Sequence, residues 1–177
     1  MFGRHVFGKG LRLPVLLLVM PLVVAGCSSA GKVEQPPEPG APEVRQVTQS
    51  AHCALTGPGV AWVRSEAKRD QLLAVAGQNM ATELVRSVDL SRESLVFVTL
   101  GQKPGAGYSV TLDGFSASDG TLAISVKRRE PAPDMATAQV LTSPCAVLAI
   151  QPADWRKLTV TGLGPQPLVS RPASARQ

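Results

Sequence analysis

The residues of this chain that could do chemistry are few and poorly spaced for it. Of its two histidines, His5 lies in a basic N-terminal stretch and His52 stands beside Cys53. A Ser-His-Asp or Cys-His mechanism needs an imidazole that reaches the nucleophile and a third group that orients it. Neighbouring side chains on an extended segment point to opposite faces, so His52 and Cys53 make a poor dyad. A zinc site needs three or four ligands, and His52, Cys53 and Cys145 show no paired ligand spacing. Ser65-Glu66-Ala67-Lys68 matches the S-x-x-K string in which serine and lysine meet on one helical turn, but no S-D-N or K-T-G element accompanies it. Ser65 reads instead as a helix N-cap. The expectation is a chain with no catalytic residues, no metal and no cofactor.

Two further segments invite a ligand reading. Gly101-Gln102-Lys103-Pro104-Gly105-Ala106-Gly107-Tyr108 has the glycines of a phosphate cradle. It lacks the G-K-[ST] ending, and it leads into a strand where a phosphate loop leads into a helix N-terminus. Its glycines and proline suit a wide hairpin loop between two strands, with Lys103 at the tip and Tyr108 starting the inward face. As a rigid loop it can also present Gly101, Lys103, Pro104, Gly105, Gly107 and Tyr108 to a partner protein. Lys127-Arg128-Arg129 lacks the clustered aromatics that stack bases, so no nucleic-acid partner is expected.

The N-terminus says where these residues work. Arg4, Lys9 and Arg12 precede an apolar run from Leu13 to Ala25, too short to span a bilayer comfortably, and Leu22-Val23-Val24-Ala25-Gly26-Cys27 ends it in small residues and a cysteine. This pattern resembles a bacterial lipoprotein signal, which implies removal of residues 1–26 and a thioether-linked diacylglycerol on Cys27, usually with an added N-acyl chain. Each buried methylene adds roughly 0.8 kcal/mol to membrane retention. Ser28 after that cysteine, where Asp commonly signals inner-membrane retention, implies delivery to the outer membrane with the domain on its periplasmic face. The formal charge of +5 falls as well. Residues 1–26 hold three of the 18 Lys and Arg residues and none of the 13 acidic ones, so 15 bases against 13 acids leave +2. Cys53 and Cys145 remain in an oxidising compartment, either disulfide-bonded across a loop of about 90 residues or buried as separate thiols.

About 150 residues follow the signal, enough for one domain. Residues 27–50 include Pro36, Pro37, Pro39 and Pro42 with few large apolar residues and are expected to form an extended tether. Residues 51–163 form the single globular domain, and residues 164–177, rich in Pro, Ser and Ala, a loose tail. Within the domain, Gly59 to Val63 is a short strand candidate. Ser65 to about Ala76 reads as a helix stopped by Gly77, and Met80 to Val85 as another helical turn. Leu95 to Leu100 is a continuous apolar run suited to a strand covered on both faces. Tyr108 to Asp113 and Leu122 to Lys127 alternate as half-buried strands, with Asp113-Gly114 and Asp119-Gly120 bracketing their connection. Cys145 to Ile150 and Leu158 to Leu163 complete the set. The expected class is α+β, a mainly antiparallel sheet with one or two packed helices.

Val88-Asp89-Leu90-Ser91, the strand Leu95 to Leu100, the G-x-K-P-x-x-G-Y turn from Gly101 to Tyr108, and Gln139-Val140-Leu141-Thr142-Ser143-Pro144-Cys145 together resemble the C-terminal domain of the protease complex subunit PrcB family. The similarity spans residues 88–150. The family usually has T-G-G-Y where this chain has Gly105-Ala106-Gly107-Tyr108. The resemblance implies a non-catalytic, lipid-anchored accessory subunit that stabilises an extracytoplasmic protease complex by binding another envelope protein. The alternative is a loop-based protease inhibitor, since the G-Y loop is similar to the N-P-T-T-G-Y loop of chagasin-type inhibitors, although the Asn and both Thr residues are missing.

Overall fold

The computed structural model of the chain describes residues 42–170. The signal, Cys27, the tether up to residue 41 and the tail from residue 171 lie outside the described residues. The described chain runs β1 (Val44–Ser50), β2 (Pro58–Val63), α1 (Glu66–Leu73), α2 (Thr82–Arg86), β3 (Ser94–Leu100), β4 (Ser109–Ser118), β5 (Thr121–Arg129), β6 (Cys145–Ile150), β7 (Lys157–Thr161) and β8 (Leu168–Ser170). The α+β class holds, but the strands divide into two four-stranded sheets, β1-β6-β3-β2 and β4-β5-β7-β8.

The first sheet is the middle layer. In β3 every residue after Ser94 is buried, and so is every residue of β6. Successive side chains of a strand face opposite ways, and here both ways lead into a core. Val96, Val98 and Leu100 of β3, with Ala146, Leu148 and Ile150 of β6, pack on Val110, Leu122, Ile124, Val126, Leu158 and Val160 of the second sheet. Leu95, Phe97, Val147 and Ala149 face the other way and pack beneath Leu73 of α1, Val85 of α2, Met80 and Val88. A strand buried on both faces is antiparallel here because its neighbours β2 and β6 both run against it. The second sheet is covered on one face only, and β5 accordingly alternates buried and half-buried residues before ending exposed at Lys127.

The helices are short and serve as covers. Ser65 caps α1 as its sequence suggests, its Oγ accepting from the Lys68 amide at 3.4 Å. The helix stops at Leu73, short of the expected Ala76. Arg69, although charged, is buried; its guanidinium donates to the Arg86 carbonyl at 3.1 Å and lies 3.1 Å from Asp70, tying α1 to the end of α2.

Several boundaries differ from expectation. The tether does not reach residue 50, because Val44–Ser50 is an edge strand paired with β6. Its exposed Arg45, Gln46 and Gln49 hid a strand that buries Val44. The tail does not begin at residue 164, since Leu168–Ser170 pairs with Leu158–Val160. Asp113-Gly114 is not a turn: β4 continues through it with an irregularity between Leu112 and Gly114, and the hairpin closes at Asp119-Gly120, where φ is 50° and 66°. Two positive φ values at the centre of a two-residue turn match the twist of the flanking strands. The second sheet is also not wholly antiparallel, because β5 and β7 run parallel. Residues 151–156 carry the chain from the first sheet to β7 in the second. Among the described residues no helix is long and apolar enough to cross a membrane.

Candidate functional site

The segment from Gly101 to Tyr108 is not a hairpin loop. It connects β3 in one sheet to β4 in the other, and its backbone is held by the long connection between β5 and β6. The hold starts at Gly101, where φ is 68° and an added Cβ would sit 2.7 Å from the Pro58 nitrogen and 3.0 Å from the Thr56 carbonyl. Only glycine takes this turn so close to a neighbouring backbone. The Gln102 amide then donates to the Thr56 carbonyl at 3.1 Å.

Lys103 and Thr142 exchange a pair of backbone bonds. The Lys103 amide donates to the Thr142 carbonyl at 2.8 Å, and the Thr142 amide returns to the Lys103 carbonyl at 3.0 Å. Thr142 is buried, and its hydroxyl donates to the Gly105 carbonyl at 2.9 Å. The Ala106 amide donates to Ala138, a Cβ on Gly105 would lie 3.2 Å from the Thr137 hydroxyl, and one on Gly107, at φ 93°, would lie 3.3 Å from Pro131. Two irregular segments therefore satisfy each other's backbone groups where no sheet does. Lys103 is half-buried rather than at a free tip, with its ammonium 5.7 Å from the centre of the Tyr108 ring, within cation–π range. Tyr108 packs against the core between the sheets.

Beneath this end, the sulfurs of Cys53 and Cys145 are bonded, with Cα atoms 6.0 Å apart and a sequence separation of 92. Around them the Cys53 amide donates to the Ser143 carbonyl at 3.0 Å and the Ala54 amide to the Ser143 hydroxyl at 2.8 Å. His52 joins the same knot through its backbone, bridging to Ser143, and its carbonyl accepts from the Asn79 amide at 2.6 Å. The His52–Cys53 neighbourhood is thus built of main-chain bonds and a disulfide. Among the described residues, no cluster of three His, Cys, Asp or Glu side chains could hold a metal ion.

What the braced end presents outward was missed in the sequence. Val140 and Leu141 are 46% and 70% exposed, and Met135 on the same connection is 52% exposed. Val140 and Leu141 lead directly into Thr142 of the bridge that holds the glycine-rich segment. The available signal was two adjacent large apolar residues, Val140-Leu141, in a stretch with neither the alternation of a strand nor the period of a helix. The braced end thus carries a cation near an aromatic ring, and exposed apolar residues next in sequence to Thr142.

The described fold is thus a helix-covered pair of β-sheets with a main-chain-braced loop pair at one end of the central strands. Residues 94–151 match a family model described as PrcB C-terminal. The match begins at β3, contains both braced segments and ends just after β6. No curated protein and no solved structure matches the chain.

Proposed function

We propose that this chain is a lipid-anchored, non-catalytic envelope protein that binds another envelope protein as an accessory or stabilising subunit of a protease complex. The observation that carries the reading is the PrcB C-terminal match over residues 94–151, the span that contains the braced loop pair. The partner surface in this reading is Lys103 with Tyr108 and the neighbouring Val140 and Leu141. Backbone bracing supports it: a surface that is already ordered loses little conformational freedom on binding. Lipid on Cys27 holds the domain on the periplasmic face of the outer membrane, and the residues that follow let it reach a neighbour.

Co-purification from native membranes tests this. Lys103→Ala with Tyr108→Ala is expected to abolish recovery of the protease partner, while shortening the segment between Cys27 and Pro42 leaves it intact. Equal recovery by the double variant and the parent overturns the loop assignment. Labelling with a radioactive fatty acid, lost in Cys27→Ser, tests the anchor.

A further inference from the structure

At the opposite end of β3, around Ser94, lies a cleft of about 290 Å³ lined by Trp62, Arg64, Arg92, Glu93, Trp155 and Arg156 among others. We propose that this cleft binds an extended, proline-containing acidic peptide segment of a partner protein. The inference does not depend on the loop-pair reading, because a strand of seven residues, roughly 20 Å, separates the two places.

Charge supports the acidic ligand. Three guanidinium groups, those of Arg64, Arg92 and Arg156, line the cleft, and its one lining carboxylate, Glu93, is already taken by Arg45 in a two-point contact of 2.8 and 3.3 Å. Arg92 is 85% exposed and only loosely paired, 3.7 Å from Asp89. Arginine presents a planar fork of donors that matches a carboxylate at two points, and the Arg45–Glu93 pair shows this geometry within the same region.

The tryptophans support the extended peptide. Trp62 and Trp155, the only two in the chain, stand with ring centres 4.8 Å apart and planes inclined by 30°. Mutual stacking occupies one face of each indole, and the Arg64 guanidinium lies 5.7 Å from the centre of the Trp62 ring. The Trp62 ring is thus contacted by both an indole and a guanidinium. A narrow apolar wall remains, of the kind against which a prolyl ring packs. Both indole Nε1 atoms are buried without a hydrogen-bond partner, a cost that phenylalanine in their place would not carry. A polyproline II segment has no internal hydrogen bonds, so its carbonyls are free to accept from the arginine side chains that line the cleft.

Because both tryptophans line the cleft, intrinsic fluorescence of the full-length chain in detergent reads binding directly. The probe is a blocked synthetic peptide alternating Glu and Pro. It is expected to give a saturable change that weakens about tenfold or more when Gln replaces Glu, in Arg64→Ala with Arg156→Ala, or when salt rises from about 0.05 to about 0.5 M. Both arginines are exposed, so the double variant keeps the fold, checked by an unchanged thermal transition. Lys103→Ala with Tyr108→Ala is expected to retain the full response, which separates failure of this proposal from failure of the loop-pair reading. No saturable change, equal binding of the Gln peptide, or a response to a uronic-acid oligosaccharide in place of the peptide overturns it.

Discussion

The two ends of β3 are finished in different ways. At the Gly101 end the chain is held by its own backbone: the Lys103–Thr142 exchange, the Thr142 hydroxyl on Gly105, the Ser143 bonds and the Cys53–Cys145 disulfide. At the Ser94 end side chains do most of the holding, through the Trp62–Trp155 stack, the Arg45–Glu93 pair and the Ser65 cap of α1. A backbone-held end fails when the main chain cannot take its turn or loses its cross-link. A side-chain-held end can lose one exposed group and keep its shape, because surface pairs contribute little. Substitutions should therefore cost much more stability at one end than at the other.

The largest effect is expected from Cys53→Ser with Cys145→Ser. Releasing a loop of 92 residues lowers stability by about 4 kcal/mol on the chain-entropy account, measurable by urea denaturation. Next comes Gly101→Ala, about 3 kcal/mol, which combines a positive φ with a Cβ pushed against the Pro58 backbone. At the other end Ser65→Ala is expected to cost only about 1 kcal/mol, the usual worth of an N-cap. If Ser65→Ala proves as damaging as Gly101→Ala, the contrast between the ends fails.

The smallest effect is a pH dependence at the cleft end. The Ser91 hydroxyl, then the Ser91 amide, with Arg92 nearby, hold the Asp89 carboxyl below the ordinary aspartate value. A carboxyl lowered in the folded state favours folding when ionised. Its contribution is present above the unfolded-state pKa and disappears as pH falls through the folded one. Carbon-detected NMR titration should find Asp89 below the ordinary aspartate value, and Ser91→Ala should bring its titration back up towards it.

How much of this could be read from sequence also differs between the regions. The strands Leu95 to Leu100 and Cys145 to Ile150 were legible because burial on both faces leaves an unbroken apolar run. The Ser65 cap and the Asp119-Gly120 turn were legible because each satisfies a local rule. β1 was not, because its outward positions are polar and it follows a Pro-rich stretch, and β8 was not, because three residues after Pro165 and Pro167 are too few to show a pattern. The split into two sheets was hidden as well, since alternation in β4 and β5 records that one face is covered without recording what covers it. Neither end could be assembled from sequence alone. The Gly101–Tyr108 segment was visible, but its brace comes from an irregular stretch around Thr142, and the cleft joins Trp62 to Trp155 across most of the domain.

The central claim is that the braced end of β3 meets a partner protein. A photo-reactive amino acid placed at Leu141 in native membranes tests it most directly, with the same group at Ser116, near the distal end of β4, as the reference. The account predicts a cross-link from position 141 to a component of a protease complex, absent from position 116 and lost in Lys103→Ala with Tyr108→Ala. Equal cross-linking from both positions, or a cross-link at 141 that survives the double variant, contradicts it.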